Sequence, residues 1–193
     1  MSFFRNMKVK TKLLVLTIIT VIGISLVGLI GNKGIDSCSV ALKEVSVVRL
    51  PSVLGLQIVS EGQTAIEANT FSILMFENNY LAQDKFKEIL KENEKIWQRI
   101  EKGWKLYEAL PQTKEELELW KQFLKEWEIW KKDNQKIIDI VERLSLNKLE
   151  EEQKELFKKY FYEIKNFRES FFDAETTLSK IVNLNINVAK KKK

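Results

Sequence analysis

Histidine is absent from the 193 residues. That removes the commonest general base, the usual zinc and haem ligand, and the partner of a nucleophilic serine or cysteine. No glycine-rich phosphate loop of the Walker or dinucleotide type occurs. Glu115 and Glu116 are adjacent on a helix and point in different directions, so they do not share a proton-transfer site. The chain is therefore read as a non-enzyme with no metal and no cofactor. Cys38 is the single cysteine, so no internal disulfide can form. Its setting, Ile35-Asp36-Ser37-Cys38, differs from a lipoprotein cleavage box by the acidic residue two positions before the thiol. Proline is nearly absent, with only Pro51 and Pro111, and beyond residue 33 glycine falls to Gly34, Gly55, Gly62 and Gly103. Strands need frequent turns rich in such residues, so this scarcity excludes a sheet protein and predicts long helices. Acidic residues are missing before Asp36.

What the N-terminal part has instead is an uncharged apolar run of 19 residues, 13–31, flanked by Arg5, Lys8, Lys10 and Lys12 before it and Lys33 after it. As a helix rising ~1.5 Å per residue it spans ~28 Å, close to the hydrocarbon thickness of a bilayer and longer than the apolar region of a cleaved signal peptide. Unopposed positive charge in a short flank tends to stay in the cytoplasm. The expectation is a single-pass membrane protein. Residues 1–12 form a cytoplasmic basic arm, 13–31 the spanning helix, and the chain from 33 onward is extracytoplasmic. Setting aside the four leading cations leaves 28 basic against 27 acidic residues, a balance without the basic excess that nucleic-acid binding requires.

The remaining apolar spacing is helical. Leu117, Trp120, Leu124 and Trp127 recur at steps of three and four and resume at Ile138 and Val141, while Phe123, Trp130, Ile137 and Leu144 form a second row. Phe86, Leu90, Trp97, Ile100, Trp104 and Tyr107 keep this rhythm earlier, and Tyr160, Ile164, Phe167, Phe171, Ala174, Leu178 and Ile181 keep it later. All five tryptophans fall at core spacing, which assigns them to burial. Turn candidates at Asn78-Asn79-Tyr80, Leu110-Pro111-Gln112 and Ser145-Leu146-Asn147 divide the chain into helices over about 33–77, 82–109, 114–144 and 148–189. Thr113 with Glu116 three residues on reads as a capping box. Pro51 is expected to kink or divide the first helix. At ~1.5 Å per residue the outer helices reach ~65 and ~63 Å against ~42 and ~46 Å for the inner two. The expected fold is all-α: an up-down-up-down antiparallel four-helix bundle (33–189) whose first helix is continuous with the N-terminal transmembrane helix. A lysine tail, 190–193, follows.

Several runs resemble bacterial methyl-accepting chemotaxis proteins, and more narrowly their four-helix-bundle sensor domain. They are Leu50-Pro51-Ser52-Val53-Leu54-Gly55-Leu56, Glu61-Gly62-Gln63-Thr64-Ala65-Ile66, Leu110-Pro111-Gln112-Thr113-Lys114-Glu115-Glu116, Leu119-Trp120-Lys121-Gln122-Phe123 and Trp127-Glu128-Ile129-Trp130-Lys131. Leu184-Asn185-Ile186-Asn187 is similar to the segment that leads into their second spanning helix. The resemblance implies a homodimeric receptor region that meets a small-molecule ligand or a ligand-loaded carrier protein and shifts its fourth helix relative to its first. It also implies a cytoplasmic kinase complex, reached only through a signalling half that is not in these residues, so that the chain reads as truncated before a second transmembrane helix. The same bundle on a histidine kinase or cyclase would differ only in that missing half, and a membrane-tethered adaptor bundle is the alternative.

Reflecting positions through the turns places Asn93, Lys131, Asn134 and Tyr160 at one height. This polar layer is the expected ligand site, with Lys131 as countercharge to a small anionic ligand and the amides as donors. A second possibility is a subunit interface along the first bundle helix, with Arg49, Gln57, Glu61 and Gln63 as its polar groups.

Overall fold

The computed structural model describes residues 8–191, and no strand occurs among them. Arg5 of the basic arm and Lys192 and Lys193 of the tail lie outside the described residues. The chain divides into two compact units, one through Glu44 and one from Val45.

The first unit is built on α1, Val9–Lys43, none of whose residues is buried. It carries the apolar run and is long and apolar enough to cross a membrane. Polar groups in such a helix must be satisfied from within the segment. The only hydroxyls of the run meet that demand: Thr17 Oγ1 donates to the Leu13 carbonyl (3.0 Å), Thr20 Oγ1 to Leu16 (2.9 Å) and Ser25 Oγ to Val21 (2.8 Å).

A π-helical segment, Glu44–Arg49, precedes α2, Leu50–Ser72, in whose first turn Pro51 sits. Proline lacks an N–H and collides with the carbonyl four residues back. The wider π turn accommodates both defects, so Pro51 marks a change of helical type. A 3₁₀ turn, Ile73–Phe76, ends this part of the chain. The segment expected over 33–77 is thus the end of α1, the π segment, α2 and the 3₁₀ turn. Three further helices follow: α3, Gln83–Glu108; α4, Lys114–Leu146; and α5, Glu150–Lys191.

The second unit is a four-helix bundle of α2, α3, α4 and α5. Packing is densest within the pairs α2/α3 and α4/α5, and sparser between α2 and α5 and between α3 and α4. Side-chain size accounts for the contrast. A Cβ on Gly55 would lie 2.8 Å from the Gly103 carbonyl oxygen, and one on Gly103 would lie 2.7 Å from the Gly55 carbonyl oxygen. The α2 and α3 backbones therefore approach as only glycine permits. Between α3 and α4, by contrast, indoles fill the gap: Trp104 meets Trp120 at 4.9 Å and Trp127 at 5.3 Å, and Trp97 meets Trp130 at 5.5 Å between ring centroids. Trp120, Trp127 and Trp130 are buried in the core, and Trp97 and Trp104 are half-buried against it.

Along α4 the buried row is Glu116, Trp120, Phe123, Trp127, Trp130, Asn134, Ile137, Val141 and Leu144. It alternates steps of four and three with two polar members. Leu117, expected in the seam, is 43% exposed, because Glu116 takes the inward position.

Amides tie together the turns at one end of the bundle. Gln153 Nε2 donates to the carbonyls of Phe76, Glu77 and Asn79 at 3.0–3.1 Å, and Gln83 Nε2 donates to Asn147 O at 2.7 Å. At the opposite end the start of α2, the start of α4 and the end of α5 meet.

Gly55→Ala should destabilise the bundle by about 1–3 kcal/mol, because the obstructing atoms are backbone and cannot rotate away. Urea unfolding followed by circular dichroism measures this. A variant as stable as the parent would show that α2 and α3 do not approach this closely.

Candidate functional site

Two polar clusters interrupt the apolar interior. The first closes the end of the bundle where α2 and α4 begin. Arg49 Nη1 donates to Glu116 Oε2 at 2.7 Å and to Asn185 Oδ1 at 3.0 Å, and Asn185 Nδ2 donates to Glu116 Oε1 at 2.7 Å. All three residues are at most 5% exposed. Glu116 has a further role at the helix start. Its Oε2 accepts from the Thr113 N–H at 2.8 Å while its own N–H donates to Thr113 Oγ1 at 3.2 Å, completing the expected capping box. Its carboxylate therefore has both oxygens occupied and lies at the positive end of the α4 dipole. Burial, followed by the nearby Glu116 carboxylate, pushes the Tyr107 phenol above its ordinary pKa, with Arg49 opposing. The resulting ring of hydrogen bonds fixes where α5 stands relative to the starts of α2 and α4.

Each member of this cluster stands in a different local run of the sequence, around Pro51, Pro111 and Leu184. Arg49 was expected at a subunit interface, but it is buried in the bundle. Gln63 was placed with it; it too is buried and donates through Nε2 to the Phe171 carbonyl at 3.3 Å. Gln57 and Glu61 are exposed, and Glu61 pairs with Arg99 at 3.5 Å. A charged residue in phase with a buried apolar row was the available signal for Glu116.

The second cluster lies between α3 and α4. A groove of about 400 Å³ is lined there by Asn93, Glu94 and Trp97 from α3 and by Lys131, Asn134 and Glu142 from α4, among others. Three of the four residues expected to form a polar layer therefore share one concavity. Asn93 is buried, and its Oδ1 accepts from Asn69 Nδ2 at 2.8 Å. Asn134 is 3% exposed, and its Oδ1 has no hydrogen-bond partner. Lys131 lies beside the seam and not in it: 54% of its side chain is exposed, with its ammonium 3.6 Å from Glu128.

Tyr160 is not part of the groove. It is fully buried and donates its hydroxyl to the Thr70 carbonyl of α2 at 2.6 Å. Equal height along the bundle did not bring it to the same side, since α5 packs on α2 and α4 while the groove belongs to α3 and α4. Among the described residues no group of acidic or cysteine side chains is arranged to hold a metal ion.

Burial raises the Tyr160 phenol above its ordinary pKa of 10.0. An unfolded chain releases that proton near pH 10 while the folded one keeps it, so stability is full below pH 10 and falls as pH rises beyond it. Tyr160→Phe should cost about 1 kcal/mol at neutral pH through the lost hydrogen bond. It should also show a shallower decline in Tm between pH 9 and 11 than the parent. Parallel declines would contradict the assignment.

A family of four-helix-bundle sensory modules for signal transduction matches the chain over residues 6–193. No curated protein and no solved structure matches it. The match covers α1 and the whole bundle, in agreement with the runs around Pro51, Gly62 and Pro111. The chain belongs to the four-helix-bundle sensory-module family of methyl-accepting chemotaxis proteins.

Proposed function

We propose that this signal-transduction module is the extracytoplasmic, ligand-sensing part of a bacterial chemotaxis receptor and has no enzymatic activity of its own. In this reading α1 spans the inner membrane with the basic arm in the cytoplasm. The up-down-up-down bundle stands outside as one half of a homodimer, and a ligand or ligand-loaded carrier displaces α5 relative to α2. The observation that carries the reading is the buried Arg49–Glu116–Asn185 cluster, which joins the start of α2 to the end of α5. These are the two helix ends that a receptor of this kind needs to couple. Packed helices hold discrete positions and move between them by ~1–2 Å. A ligand drives such a step only through different affinity for the two positions. The helix-internal hydroxyl bonds and the absence of buried residues in α1 support its place in lipid.

The reading predicts the sidedness of the chain. In a Cys38→Ser background, Asn79→Cys should react with a membrane-impermeant maleimide on intact spheroplasts, and Lys8→Cys only after lysis. Labelling of Lys8→Cys alone on intact spheroplasts would place the bundle in the cytoplasm and remove the proposed role.

A further inference from the structure

The three members of the buried cluster do not leave it at equal cost. Arg49 and Glu116 carry opposite charges and meet at 2.7 Å, so separating α2 from α4 strands a charge in an apolar interior. Asn185 is neutral. Its carboxamide fits between the two charges: Oδ1 accepts from Arg49 Nη1 at 3.0 Å, and Nδ2 donates to Glu116 Oε1 at 2.7 Å. When it withdraws, Arg49 and Glu116 still hold one another, and the Thr113 N–H still donates to Glu116 Oε2 at 2.8 Å. Each charge therefore keeps a partner. Withdrawal costs two hydrogen bonds to charged groups, which is more than two ordinary ones but less than an isolated buried charge. The amide's remaining bond, from Nδ2 to the Ile181 carbonyl at 3.1 Å, lies within α5 and travels with it.

Position along the helices favours the same division. The buried row of α5 includes Phe171, Ala174, Leu178, Ile181 and Asn185, and among the described residues none after Asn185 is buried. Release of this end consequently uncovers no further core residue, and a helix end with little buried beyond it opens locally at low cost. Arg49 and Glu116 stand at the starts of their helices, followed by the buried Ser52 and Trp120. Freeing either disturbs the core that follows it.

We propose that the cluster is a latch in which the Arg49–Glu116 pair is the fixed part and the Asn185 carboxamide the releasable one, so that the end of α5 has a docked and a free position while α2 and α4 stay joined. This rests on the sensing role proposed above and names the element that moves in it. A ligand that favours the free position has to outweigh the bonds of one neutral side chain and leaves the ion pair intact.

Hydrogen exchange read by mass spectrometry on the full chain in lipid nanodiscs compares the parent with Asn185→Ala. Exchange should rise at least about tenfold over residues 177–190 and stay within about twofold of the parent at the starts of α2 and α4, residues 50–58 and 114–122. The missing group is a carboxamide, so added formamide should restore protection of 177–190 severalfold. Formate, of equal size, should not, since it has no N–H to give Glu116 and carries a charge of the same sign. Comparable loosening of all three stretches would show that the cluster opens as one unit, and unchanged exchange over 177–190 would show that Asn185 holds nothing; either result overturns the latch. Rescue by formate and formamide alike, or by neither, would overturn the carboxamide's place between the two charges. The sidedness experiment judges the sensing role independently: a bundle found in the cytoplasm would remove the latch's proposed use and leave the exchange result standing.

Discussion

A single carboxylate, that of Glu116, is the point on which the arrangement of the bundle turns. It is removed from water at the start of α4 and held there by three donors from different parts of the chain: the Thr113 amide, the Arg49 guanidinium and the Asn185 amide. Burying an ion pair costs several kcal/mol per charge before attraction offsets it, so such a pair is poor evidence of added stability. Its value is positional. If α2 rotates, a charge is left without its partner in an apolar interior, and if α5 slides, both buried charges lose the hydrogen bond that Asn185 supplies; either outcome is more costly than losing an apolar contact. Three helix ends are thereby held in register by one group.

The rest of the bundle packs as two dense pairs of helices around that point. Glycine contacts draw α2 and α3 together, and α4 and α5 form the other dense pair. The seams between the pairs are looser: one is packed with indoles and carries the groove, and the other is spanned by the buried cluster. Arg49 belongs to the first pair, and Glu116 and Asn185 to the second. In the proposed sensing role, a change in the spacing of the two pairs is the degree of freedom that the ion pair constrains.

Much of this was written locally in the sequence. Scarce proline and glycine, a three-four apolar rhythm and the Thr113–Glu116 spacing are short-range signals. The helices they predict are recovered in α3, Gln83–Glu108, and in α4, whose capping box forms as expected. The runs around Gly55 and Gly62 supported a family resemblance before any reason for their glycines was visible; the reason is contact with α3. The pairing of Arg49 with Glu116 and Asn185 was hidden because the partners lie 67 and 136 residues away. Glu116 had also already been given a local role by its cap. Lys131 follows Trp127 by four, yet it lies beside the seam, because the buried row of α4 steps from Trp127 to Trp130 and then to Asn134. Tyr160 was misplaced because a reflection through turns fixes height and leaves the direction around the bundle axis undetermined.

The claim most exposed to test is that Glu116 holds the end of α5 in place. Native-state hydrogen exchange on the full chain in nanodiscs, read by mass spectrometry for residues 177–190, compares the parent with Glu116→Gln. Loss of the buried charge pair should raise exchange of this stretch selectively, by tenfold or more, while α3 keeps its protection. Equal protection of residues 177–190 in both proteins would show that the carboxylate does not secure the helix, and the proposed coupling between α2 and α5 would have no structural basis.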